Sequence, residues 1–141
     1  MLKKWQVGAT AVIILLAMVC VGPVRAEVVG QTDAEVQAAV EPMVENLLAG
    51  FNDGNYQKYS RDFDPMLKES LPEEKFRQVR TDILNKIGRY QSRQYLGFLN
   101  QNRFTAALWK GKFDKTASDV LIKLVTSKRQ DKVVIVGLWF Q

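Results

Sequence analysis

The chain has 141 residues, 47% hydrophobic and 25% charged, with nine Gly and four Pro, which excludes collagen-like, low-complexity and multi-span membrane classes. Its net charge of +5 does not mark a nucleic-acid binder. Lys3, Lys4 and Arg25 lie in an N-terminal stretch without acids, and without them 17 basic residues face 15 acidic ones.

Met1 to Ala26 has the form of a secretory signal peptide. Lys3 and Lys4 form the basic region, Ala11 to Val21 an unbroken apolar run, and Val24-Arg25-Ala26 a cleavage pattern after the Gly22-Pro23 break. The run is shorter than the roughly 20 residues a membrane span needs, and extending it back to Trp5 takes in Gln6, Gly8 and Thr10. Cleavage after Ala26 is therefore expected, with residues 27–141 exported as one domain to the periplasm or the extracellular space. Membrane attachment is expected only if the segment stays uncleaved. Cys20, the sole cysteine, follows Met18 and Val19 rather than the small residue of a lipoprotein signal, so it reads as an apolar residue lost with the peptide. Residues 27–141 then contain no Cys and no His. A chain of that length buries enough surface to fold without a disulfide.

Thr32 with Glu35 forms a capping box, and Val36, Val40, Met43, Val44, Leu47, Leu48 and Phe51 recur at helical spacing. Pro42 predicts a kink or a fresh start within this helix, and Asn52-Asp53-Gly54 its end. Tyr56, Tyr59 and Phe63 suggest a short second helix, and Asp64-Pro65 opens a further turn. Ser70 with Glu73 reads as a second capping box, with Pro72 in the first turn and Phe76, Val79, Ile83, Leu84 and Ile87 as the buried stripe. Gly88 is the expected left-handed stop. Beyond it, four strands are predicted over 89–99, 104–113, 118–127 and 132–141, joined by short polar breaks that favour antiparallel hairpins. Helices followed by a meander is an α+β pattern.

Chemistry-bearing residues are sparse. Without His or Cys, only carboxylates could hold a metal, and neither Asp62 with Asp64 nor Asp53 with Asn55 completes a calcium-loop series; no metal site and no cofactor motif is expected. Nucleophilic catalysis lacks a base for any Ser or Thr. A carboxylate tuned by an apolar wall remains conceivable, with Asp53, Asp62 and Asp119 as candidates. Arg77, Arg80, Lys86, Arg89 and Arg93 interleave with Tyr90 and Tyr95 as a stacking platform would. Glu73, Glu74 and Asp82 share the helix, however, and an exported domain seldom meets nucleic acid, so no nucleic-acid partner is expected. Tyr56, Tyr59, Tyr95, Trp109 and Trp139, with Phe63 and Phe113, could line a concave pocket or simply make the core. The first five are the candidate ligand-binding residues.

Leu47 to Phe51 followed by Asp53-Gly54-Asn55-Tyr56, then Arg61 to Asp64, Leu71-Pro72-Glu73-Glu74, Ile87-Gly88, Lys112-Phe113-Asp114, Val120 to Leu124 and Gly137 to Phe140 carry a resemblance. The chain resembles a family of short exported prokaryotic domains, domain of unknown function 3887, which is similar to the nuclear transport factor 2-like, or cystatin-like, superfamily. The resemblance implies N-terminal helices packed in the concave face of a curved four-stranded antiparallel sheet, a cone with a pocket. Superfamily enzymes set an Asp or His against a Tyr in that cone, but no catalytic residue matches here by motif.

The function expected is an exported, non-enzymatic module that binds a small apolar ligand or a protein partner. The alternatives are a carboxylate-based isomerase or hydrolase and a structural homodimer. The last strand motivates the dimer. Taken in strict alternation it sets Val133, Ile135 and Trp139 on one face and Val134, Val136, Leu138 and Phe140 on the other, so both faces are apolar. In the strand before it, Val120, Ile122 and Leu124 oppose Leu121, Lys123 and Val125, which marks the Lys123 face as the outer one. Helices cover only one face, and a second copy would cover the other.

Overall fold

The computed structural model describes residues 25–141; the expected signal segment up to Val24 lies outside the described residues. Helix α1 (Asp33–Asp53) starts at the expected capping box. Thr32 Oγ1 accepts from the Glu35 amide at 3.2 Å, and the Glu35 carboxylate accepts from the Thr32 and Gln31 amides at 3.2 and 2.7 Å. Pro42 does not divide the helix. It and Ala38, whose carbonyl loses its partner, both lie on the exposed side, so the carbonyl is not left buried without a partner. Helix α2 (Tyr56–Tyr59) is capped by Asn55 and α3 (Pro65–Ser70) by Asp64, whose Oδ1 accepts from the Leu67 amide at 2.8 Å. The second capping box does not form. Ser70 is the last residue of α3 and donates back to the Leu67 carbonyl, so α4 (Glu73–Lys86) begins after Pro72 without a side-chain cap.

Gly88 takes φ +87°, as expected of a helix stop that only glycine adopts freely, and the chain turns into the sheet. Two-residue β1 (Ala26–Glu27), then β2 (Tyr90–Gln101), β3 (Phe104–Phe113), β4 (Val120–Arg129) and β5 (Lys132–Phe140) are all antiparallel. The last four form the predicted meander, and β1 joins β4 beyond the end of the β3 ladder. The architecture is α+β: helices N-terminal to a curled four-strand half-barrel, with β1 as a short addition. Bulges at Gln91, Leu96 and Val136 supply the curl, since an extra residue bends and twists its strand.

Val36, Val40, Val44, Leu47, Leu48 and Phe51 of α1 are buried against the concave face, where Ala107, Trp109, Ile122, Leu124 and Ile135 meet them. The bulge at Val136 corrects the strict alternation expected of β5. Ile135 pairs with Thr126, but Leu138 pairs with Leu124 and Phe140 with Ile122. Directly opposed residues share a face, so Leu138 and Phe140 join Ile135 on the core side and Trp139 turns out beside Lys123. The free edge of β5 is covered at one point: the Asp64 amide donates to the Ile135 carbonyl at 2.9 Å, and the Ile135 amide to Asp62 at 2.7 Å.

Candidate functional site

The site begins at a close approach between helices. A Cβ on Gly50 would overlap the Tyr59 backbone nitrogen, so glycine lets α2 lie directly on α1. Tyr59 is thereby pressed inward, 5% exposed, with its ring 4.5 Å from that of Phe76 and 5.3 Å from that of Phe63. Tyr56 is fixed beside it, donating to the Leu71 carbonyl at 2.8 Å. This bond ties the start of α2 to the α3–α4 junction. Arg80 hangs α4 on the C-terminus of α1 by donating to the Phe51 and Asn52 carbonyls, a cation at the negative end of a helix.

Between these helices and β5 lies a cavity of 310 Å³. Tyr59 and Phe63 form its inner wall, Leu67 and Leu71 one side, Val79 and Ile83 the roof, and Leu138, Trp139 and Phe140 the floor. It exists because α4 is incompletely packed: of its apolar stripe only Phe76 is buried, while Val79, Ile83 and Leu84 remain half-exposed. Among the described residues no carboxylate, lysine or arginine borders it. Burial raises the Tyr59 phenol well above the ordinary tyrosine range, with the neighbouring Tyr56 adding to the effect, so it stays neutral. A larger hollow of 420 Å³ beside α3 is more open and includes Asp64 and Arg129, an ion pair at 3.0 Å.

The five candidate ligand residues separate. Tyr59 and Trp139 border the cavity, Trp139 from a 45% exposed position on the outer side of β5. Tyr56 braces the wall. Tyr95 and Trp109 lie elsewhere, where α1 crosses β2 and β3 in a polar network. Arg93 donates to Glu41 at 2.7 Å and to Glu45 and the Tyr90 hydroxyl at 2.8 and 2.9 Å. Trp109 Nε1 donates to the other Glu41 oxygen at 2.8 Å, and the Tyr95 hydroxyl to Asp33 at 3.0 Å. Desolvation opposes the Arg93 charge, but its bonds to Glu41, Glu45 and Tyr90 outweigh that and hold the guanidinium charged. Both Glu41 oxygens are occupied by donors, so this acid inside the fold serves as a brace rather than a free base.

The acids considered for catalysis stand at the surface or edge. Asp53 faces Lys58 at 3.9 Å and Asp119 faces Lys112 at 2.5 Å, both well exposed, and Asp62 meets β5 through its backbone. The basic set is dispersed as well. Arg80 and Arg89 serve the end of α1, Arg77 pairs with Glu73 and Glu74, and Arg93 is inside. Among the described residues no group of three metal-ligating side chains occurs, and no helix is long and apolar enough to cross a membrane. The wall residues Leu67, Leu71, Val79 and Ile83 were not among the expected site residues. Their spacing signals an apolar stripe, which a packed core and a cavity wall share.

Fold and cavity together define a helix-covered half-barrel whose pocket is apolar and carries a neutral phenol. Residues 44–134 match the family described as Protein of unknown function (DUF3887), and the chain belongs to that family. No curated protein matches it.

Proposed function

We propose that the protein is an exported, non-enzymatic module that binds a small apolar ligand between α4 and β5. The observation that carries this reading is the 310 Å³ cavity, walled by aliphatic and aromatic side chains beneath a helix whose apolar stripe is only half buried. The carboxylate isomerase or hydrolase has less support, since none of Asp53, Asp62 and Asp119 borders the cavity. We read the half-barrel as a nuclear transport factor 2-like cone, supported by the order of helices and meander and by the curl of the sheet. Export rests on the N-terminal pattern; intact-mass measurement of natively expressed protein is expected to show Glu27 as the first residue, and retention of Met1 in a membrane fraction would overturn it. For binding, calorimetry with butylbenzene is expected to show saturable association with a negative heat-capacity change. Val79→Trp, which fills the cavity, should abolish it. Equal binding by wild type and the filled variant would refute the site.

A second reading, a homodimer through the outer sheet face, is favoured by Leu96, Leu99, Phe104 and Trp139. All four project from that face and are 40–54% exposed. Lys123 shields part of it, its Nζ 5.0 Å from the centre of the Trp139 ring. Sedimentation equilibrium at tens of micromolar tests this: a strict monomer rules it out, and a dimer should be broken by Val125→Lys with the monomer still folded.

A further inference from the structure

We infer that the cavity ligand is a neutral molecule with an apolar body and one hydrogen-bond-accepting oxygen, a ketone or ester, and that Tyr59 Oη is the donor that orients it. The inference rests on the reading of the cavity as a binding site. Every other tyrosine hydroxyl in the fold is engaged: Tyr56 donates to Leu71, Tyr95 to Asp33, and Tyr90 accepts from Arg93. Tyr59 is the most buried of the four, yet among the described residues its hydroxyl has no hydrogen-bond partner. Among the described residues no buried polar side-chain atom sealed from solvent-sized space lacks a partner. The Tyr59 hydroxyl therefore keeps some accessible surface, and because Tyr59 lines the cavity we take that cavity as the space it meets. In the free protein water can meet this hydroxyl, and a ligand that displaces the water must bring an acceptor or leave the hydroxyl unpaired in apolar surroundings.

The wall decides the ligand's charge. Among the described residues it contains no cation to pair a carboxylate and no anion to pair an amine, and an unpaired charge would not leave water for such a place. The raised phenol stays protonated across the physiological range, so it offers a proton to an acceptor and is never an anion for a cation to meet. The volume, about ten times a water molecule's ~30 Å³ share, suits a ligand of about ten heavy atoms. The aromatic neighbours Phe63 and Phe76 leave the phenol little rotational freedom, which fixes where the acceptor must sit.

Two matched probes separate this inference from the reading beneath it: 4-phenyl-2-butanone and butylbenzene, which share an aromatic body and differ in the carbonyl. Wild type is expected to bind the ketone roughly three- to tenfold more tightly, the worth of one neutral hydrogen bond. Tyr59→Phe should remove that preference, weakening the ketone while butylbenzene binds at least as tightly, since it no longer strips water from a hydroxyl it cannot pair. Without ligand, Tyr59→Phe should melt no lower than wild type, because it removes a hydroxyl without a partner. Binding of both probes with equal affinity in both proteins would overturn the role of Tyr59 while leaving the cavity reading intact. Binding of neither would overturn both. A clearly lowered melting temperature for Tyr59→Phe would show that the hydroxyl is already paired within the protein and would also overturn the inference.

Discussion

Replacing Gly88 by alanine is expected to damage the helix-to-sheet junction more than a helix stop normally would. At φ +87° any residue with a Cβ incurs roughly 1–2 kcal/mol of backbone strain. The structure adds a second cost: the new Cβ would overlap Asp114 Oδ1 and lie 2.8 Å from the Lys115 nitrogen. That carboxylate accepts from the Arg89 amide at 2.8 Å, while Asp114 N donates to Arg89 O and Lys115 N to Ile87 O. Moving it forfeits about 1 kcal/mol of hydrogen bonding. The sum is about 2–3 kcal/mol, or a melting temperature lowered by about 10 °C for a domain of this size. Thermal unfolding followed by circular dichroism measures the shift. Asp114→Gly supplies the internal control: in that background Gly88→Ala should cost the backbone strain and the close contact with Lys115 but no longer the clash with Asp114, so the two substitutions are not additive. Full additivity would refute the steric half of the reasoning, and an unchanged melting curve would refute all of it.

Arg93→Met should destabilise by about 2 kcal/mol in chemical denaturation, because it strips Glu41 of its cationic partner in a partly buried place; an effect indistinguishable from zero would mean that the Arg93 ion pairs add nothing to the hold on α1. The backbone amides of Gln31 and Thr32 hold the Glu35 carboxyl below its ordinary 4.5. Its contribution is therefore complete above pH 4.5 and lost as pH falls through the lowered value, so amide exchange at the start of α1 should rise on acidification, and Glu35→Gln should flatten that response. Burial, with the bond to Asp33 and the charges of Asp33 and Glu41, pushes the Tyr95 phenol up to about 12. Stability from that contact should persist to pH 10 and fade toward 12, and phenolate absorbance should lose its corresponding late step in Tyr95→Phe.

Element order was legible because each signal is local. The capping box at Thr32, the apolar period of α1, the stop at Gly88 and the polar breaks between strands all act within a few residues. What escaped the sequence depends on contacts between distant segments. The bulge at Val136 reverses which alternate residues of β5 face the core, and a run apolar on both faces gives no hint of the slip. Ser70 and Glu73 have the spacing of a capping box, but α3 claims Ser70 first. The aromatic set was partly informative: Tyr59 and Trp139 reach the cavity, whereas Tyr95 and Trp109 are drawn away by Asp33 and Glu41. That division is decided by α1 lying across β2 and β3, a relation no window along the chain contains.

If the chain is cut after Ala26 as proposed, strand β1 sets the order of cutting and folding. Ala26 and Glu27, the residues on either side of the proposed cleavage bond, are paired with Arg129 and Lys128 near the C-terminus. A peptidase that takes its substrate as an extended strand needs the same backbone groups that this ladder occupies. Such processing would compete with folding for one stretch of backbone, and cutting would be easiest before β4 exists to hold it. Slower folding widens that interval, while a domain already closed must fray its own edge before the peptide can leave.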